Sequence, residues 1–230
     1  MKTEEQEGFA TRSTSRRSFL RYAGVGAASV GLLATAACHK DHNINLNNGV
    51  DVGSGDFGIL NYAYALEQLE AAFYTQVILT PYAGIPENEK TLLTAIRDHE
   101  VAHREFFKAA LGTNAIKALT PDFSSINFSS RASVLGAAKA FEDLGVSAYD
   151  GAGYLITTPA YLTIAGKIVS VEARHAALIR ELLLPGSFAA ADVVDSNGLN
   201  QSNEIKAVLP IANKYLKTKV SASNYGYIAS

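Results

Sequence analysis

The stretch "RDHEVAHREFF", residues 97–107, decides how the rest of the chain is read. It has the composition of a helix, yet Glu100 and His103 fall on the stripe where a packed helix should be apolar. A second stretch, "SVEARHAALIRELL", residues 170–183, repeats the arrangement with Glu172 and His175. Residues at i and i+3 lie one turn apart on one helix face, so each pair can reach a single point in the interior. Buried carboxylates are costly unless a positive charge neutralises them, and a metal ion does so while taking the imidazole as a further ligand. Chance gives roughly 0.3 occurrences of Glu-x-x-His in a chain of this composition. Two of them, each on the apolar stripe of a separate long helix, require a chemical reason.

Outward from these stretches the pattern is helical and strand signals are scarce. A first helix is expected over residues 57–79, with Leu60, Ala63, Glu67, Ala71 and Tyr74 at helical spacing and Asp56 as its N-cap. Prolines 81 and 86 break it. A second helix is expected over 87–111, ended by Gly112, and a third over 130–150. A fourth starts at Thr158-Pro159 and stops before Pro185-Gly186. Helices of this size are about 30 to 37 Å long, and four of them bury their stripes naturally in an antiparallel bundle. The 18 residues "GTNAIKALTPDFSSINFS" between the second and third helices are long enough to cross the whole bundle. The expected fold is therefore all-α, a four-helix bundle with one long crossover between helices two and three. Residues 57–185 form the bundle, and residues 186–230 a C-terminal extension with one short helix near 202–217.

Each of the four stripes carries one glutamate among apolar neighbours: Glu67, Glu100, Glu142 and Glu172. Glu67 precedes Tyr74 by seven positions, and Glu142 precedes Tyr149 by the same seven. Glu67 and Glu142 are 75 residues apart, Glu100 and Glu172 are 72. The chain thus reads as two helix pairs facing across a pseudo-twofold, with a shared metal site at the axis. Glu70, one turn from Glu67, is the alternative ligand on the first helix, but it lacks the repeated spacing to tyrosine. Asp143 and His99 point off the stripes and are read as solvated or satisfied polar residues.

The segments "LNYAYALEQLEAAFY", "AIRDHEVAHREFF", "AFEDLGVSAYDGAGYL" and "AGKIVSVEARHAALIREL" resemble the ferritin-like di-metal carboxylate superfamily, which includes rubrerythrins, bacterioferritins and manganese catalases. Within it they look most like the exported ferritin-like group related to plant desiccation-associated proteins. The resemblance implies Glu67, Glu100, His103, Glu142, Glu172 and His175 as ligands of two iron or two manganese ions. It implies Tyr74 and Tyr149 as groups beside those ligands. The fold it implies hosts many reactions, so the reaction does not follow from it.

Upstream, residues 1–37 read as a twin-arginine export signal: "SRRSFLR", residues 15–21, precedes "YAGVGAASVGLLATAAC", residues 22–38, which is too short and too rich in Gly and Ala for a membrane span. Cleavage fits either of two patterns. "TAAC" resembles the lipoprotein box, which would make Cys38 the lipidated first residue, and "ATA", residues 34–36, suits ordinary signal peptidase. Residues 38–56, rich in Asn and Gly, read as a flexible tether in which His39 and His42 are solvated. Formal net charge is −2, with no basic surplus to attract nucleic acid, and a lone cysteine excludes an internal disulfide framework.

The expected function is a di-metal oxidoreductase of peroxidase, catalase or ferroxidase type. Its partners would be a small-molecule oxidant or a metal ion, in the periplasm or cell envelope, with a membrane tether through Cys38 and with homodimer formation left open. The alternative is a non-catalytic envelope stress protein in which the metal pair only staples the bundle. A closed storage cage fits less well, because a tethered N-terminus and a 45-residue tail (residues 186–230) sit awkwardly on such a shell.

Overall fold

The computed structural model describes residues 49–229. The segment read as an export signal, with Cys38, His39 and His42, lies outside the described residues. Four long helices dominate: α1 (Gly55–Leu79), α2 (Glu87–Leu111), α3 (Arg131–Ala152) and α4 (Pro159–Leu183). Each hairpin partner follows the last by a short link, α1 with α2 and α3 with α4, and residues 112–130 cross between the two hairpins. This is the four-helix bundle with one long crossover that the sequence leads one to expect. A short helix α5 (Ile205–Ala212) follows, and two short strands, β1 (Val50–Asp51) and β2 (Val220–Ser221), pair in parallel with Val50 opposite Val220. No helix among the described residues is long and apolar enough to cross a membrane.

Local chemistry sets the helix ends. The Ser130 hydroxyl accepts the Ser133 N–H and caps α3. Pro159 stands at the first turn of α4, where its missing N–H costs nothing. Gly112, with φ of 56°, turns the chain out of α2. Asp56 does not act as the N-cap expected of it. It lies in the first turn of α1, and its carboxylate accepts the backbone N–H groups of Thr157 at 2.8 Å and Thr158 at 2.9 Å. A residue at one end of α1 therefore anchors the start of α4.

Helix α1 is the axis of the molecule, buried almost all round from Gly58 to Tyr74. Two of its buried polar residues hold the crossover in place. Asn61 accepts the Ile116 N–H at 2.9 Å and donates to the Asn114 carbonyl at 2.9 Å, and Gln68 accepts the Leu119 N–H at 2.8 Å. Phe73 of α1 meets Phe123 of the crossover and Phe141 of α3 edge to face. The crossover is thus a packed wall of the bundle.

Two expectations need correction. Residues 50–56, read as tether, are part of the fold: β1 pairs with β2 and Val52 is fully buried. The C-terminal extension contributes more than a short helix, for Val208 and Leu209 of α5 are wholly buried in the main core and β2 closes over β1. Its approach to the bundle is close enough to fix a residue type. A Cβ on Gly151 of α3 would stand 2.0 Å from the Asn203 carbonyl oxygen, so only glycine lets the two backbones meet. Both features escaped the sequence because two-residue strands and a backbone contact leave no periodic signal.

Candidate metal centre

One glutamate from each long helix meets at the centre of the bundle. Glu67, Glu100, Glu142 and Glu172 are all 0% exposed. The two histidines follow their glutamates by one turn on α2 and α4, as the i, i+3 geometry requires. His103 Nδ1 lies 2.8 Å from Glu172 Oε1 and 3.4 Å from Glu67 Oε2. His175 Nδ1 lies 2.8 Å from Glu100 Oε1 and 3.6 Å from Glu142 Oε2. Two groups result, one of Glu67, Glu100, His103 and Glu172, the other of Glu100, Glu142, Glu172 and His175, and within each the ligand atoms lie within 4.8 Å of one another. Glu100 and Glu172 belong to both.

The hydrogen-bond pattern separates these carboxylates into two kinds. The Tyr149 hydroxyl of α3 donates to Glu67 Oε1 on α1, and the Tyr74 hydroxyl of α1 donates to Glu142 Oε1 on α3 at 2.5 Å. Each tyrosine thus serves the glutamate of the other half of the repeat. That leaves one buried oxygen unpartnered on Glu67 (Oε2) and one on Glu142 (Oε2). On Glu100 and Glu172 neither buried oxygen takes a hydrogen bond from outside the cluster, and Nδ1 of His103 and of His175 faces only the cluster's carboxylates. Buried polar atoms are rarely left with no partner outside their own cluster, and these eight, gathered into two groups of carboxylate oxygens and imidazole nitrogens, form a donor set that could hold metal. Single free oxygens suit terminal ligands, and paired free oxygens suit bridges. The donor set, oxygen and imidazole nitrogen only, suits iron or manganese.

Residues 55–185 match the family model described as a ferritin-like domain. The chain belongs to this family. No curated protein matches the chain. The carboxylate and histidine cluster where the four long helices meet is one that could bind metal.

Three neighbouring residues refine the picture. Glu70 joins neither group. It is buried with its Oε1 against α3, 2.9 Å from where a Cβ on Gly145 would stand. Gly145 is 75 residues beyond Glu70, the same offset that relates Glu67 to Glu142, so the repeat is broken there to make room for a single extra carboxyl. Asp143 is held by a bidentate pair with Arg180, at 2.7 Å on each side, and does not enter the centre. His99, read as a solvated or satisfied polar residue, has a more specific contact. Its Nδ1 is 2.9 Å from Nε2 of His175, with the two rings within 10° of parallel. The signal was its position beside Glu100, roughly 100° round α2 and so toward the neighbouring helix.

Without metal, the charges of this cluster compensate one another. Burial opposes a charged His103, but the adjacent Glu172 and Glu67 outweigh it and push the imidazole up to about 10. Burial likewise opposes a charged His175, and Glu100, Glu142 and Glu172 push it up to about 12. Burial, together with the neighbouring carboxylates, raises Glu67 and carries Glu70 and Glu100 well above the usual range. A metal ion must displace the imidazole protons, so affinity should rise with pH between about pH 6 and pH 8 and binding should release protons. Calorimetric titration in buffers of different ionisation enthalpy measures this release directly. Affinity that does not change with pH over that range would contradict it.

Proposed function

We propose that this protein binds two iron or two manganese ions and carries out redox chemistry on peroxide, oxygen or ferrous ion in stress protection outside the cytoplasm. The observation that supports this reading best is the set of eight buried ligand atoms with no hydrogen bond from outside the cluster: one oxygen each on Glu67 and Glu142, both oxygens of Glu100 and of Glu172, and Nδ1 of His103 and of His175. A bound pair of such ions supplies two adjacent one-electron centres to a small oxidant. The chain's own groups have distinct tasks. Tyr74 and Tyr149 tie down one oxygen of each terminal glutamate and so aim the other at the centre. Glu100 and Glu172, which belong to both ligand groups, would help to hold both ions. Complete burial of the four glutamates keeps bulk water from them.

The reading extends to the N-terminus. The twin arginines of "SRRSFLR" support export of a folded, metal-loaded chain, and Cys38 would tether it to the membrane if lipidated. The stress role follows the resemblance to desiccation-associated proteins.

A second reading is favoured by the complete burial of all four carboxylates, which suits a structural metal pair as well as a reactive one. Elemental analysis of the exported protein, purified without added metal or chelator, followed by peroxide and ferrous-ion turnover assays, separates the two. Retained metal with turnover supports the oxidoreductase. Retained metal without turnover of either substrate supports the structural staple, and a folded protein that holds no metal rejects both.

A further inference from the structure

The two halves of the centre are alike in their ligands and unlike in what stands behind the histidines. The offset of 72 residues that carries Glu100 to Glu172 and His103 to His175 carries His99 to Val171. His99 hydrogen-bonds His175 across the α2–α4 interface. Valine cannot return that contact, and among the described residues His103 has no protein partner on its Nε2. The two imidazoles also differ in exposure, the side chain of His103 being 14% exposed and that of His175 5%.

Resting on the metal-binding reading above, we propose that His99 is a positioning residue for His175 and makes the two metal positions unequal. The Nε2–H of His175 donates to Nδ1 of His99, which fixes the tautomer that leaves Nδ1 of His175 free for metal. It also fixes the plane of the ring. The position built from Glu100, Glu142, Glu172 and His175 therefore binds the first ion. The position built from Glu67, Glu100, His103 and Glu172 must orient its own imidazole on binding, and it holds the second, more exchangeable ion. Groups that hold a metal-binding histidine from behind typically contribute 10–100-fold in affinity, which sets the expected gap between the steps at about 10-fold or more.

The test is a manganese(II) titration of the metal-free full chain against a competing chelating indicator, with electron paramagnetic resonance at one and two equivalents. The natural protein should show two separable steps, a mononuclear manganese signal at one equivalent and a coupled signal at two. His99→Val, which gives α2 the residue found at the matching place on α4, should weaken the first step about 10-fold or more while keeping both equivalents. His99→Gln, whose side-chain oxygen can accept the same N–H, should restore most of the gap. His103→Ala should retain the tight step and His175→Ala should lose it. Circular dichroism of each metal-free variant checks that the fold is intact. Two ions entering in one inseparable step, an unchanged first constant in His99→Val, or a tight step that survives His175→Ala would overturn the proposal while leaving the metal centre standing. Failure of the natural protein to bind manganese(II) at all would remove the metal-binding reading, and the proposal with it.

Discussion

Replacing Glu172 by alanine should abolish binding of both metal ions, taking the content from about two per chain to nearly none, whereas Glu142→Ala should cost about one. The difference follows from membership. Glu172 belongs to both ligand groups and offers an unpartnered buried oxygen to each, while Glu142 belongs to one and has its other oxygen occupied by Tyr74. Glu172 also sits 2.8 Å from His103 Nδ1 and 3.6 Å from His175 Nδ1, so its removal takes away one of the two carboxylates, with Glu100, that face both imidazoles. His103→Ala should lose most of one equivalent, and Glu70→Ala should lose none, because Glu70 stands outside both groups. Elemental analysis of the purified variants reads all four outcomes. Equal metal content in Glu172→Ala and Glu142→Ala would sink the assignment of Glu172 as a bridge.

Much of this centre was legible in the sequence because a polar residue on an apolar stripe violates the pattern around it. The same violation recurs on four helices, and the repeat ranks Glu67 above Glu70. The helix ends were legible for a related reason: Gly112, Pro159 and the Pro185-Gly186 pair act locally, and local chemistry survives in one dimension. What sequence reading missed depends on packing between elements. The crossed tyrosines required knowing which helices face each other, since Tyr74 serves Glu142 and not the Glu67 on its own helix. His99 lies off the stripe of α2 and gains its meaning only from α4 beside it. Asp56 has the residue type of a cap, yet spends its carboxylate on Thr157 and Thr158, about 100 positions away. Arg180 and Asp143 likewise pair across two helices that no sequence spacing relates.

Stripping the metal should lower the melting temperature by roughly 10–20 °C and leave the secondary structure of the folded state unchanged. Each site filled at about 100 times its dissociation constant contributes about 2.7 kcal/mol, two sites about twice that, and in a domain of this size each kcal/mol moves the midpoint by about 2–4 °C. The metal-free protein should also depend on pH in a direction that can be derived. Burial, with only partial relief from His175, raises Glu142 from 4.5 to about 7, so between those values the folded state binds more protons than the unfolded one and stability falls as pH rises. His103 and His175 act in the same direction above 6.5, since their raised values mean a stabilisation present at low pH and lost as pH rises toward about 10 and about 12. Glu172, held down to about 2 by the two histidines against the cost of burial, has the opposite sign, but its window lies below 4.5. The metal-free melting temperature should therefore decline steadily from about pH 5 to pH 8, while the loaded protein, whose carboxylates and imidazoles face metal, should hold or gain stability over the same range. Glu142→Gln sharpens the comparison, because it removes a buried charge from the metal-free form and a ligand from the loaded one: it should raise or preserve the first melting temperature and lower the second. Thermal scans at several pH values, with and without chelator, measure each of these. Coincident curves for the loaded and stripped protein would mean that the buried carboxylates are balanced by something other than metal.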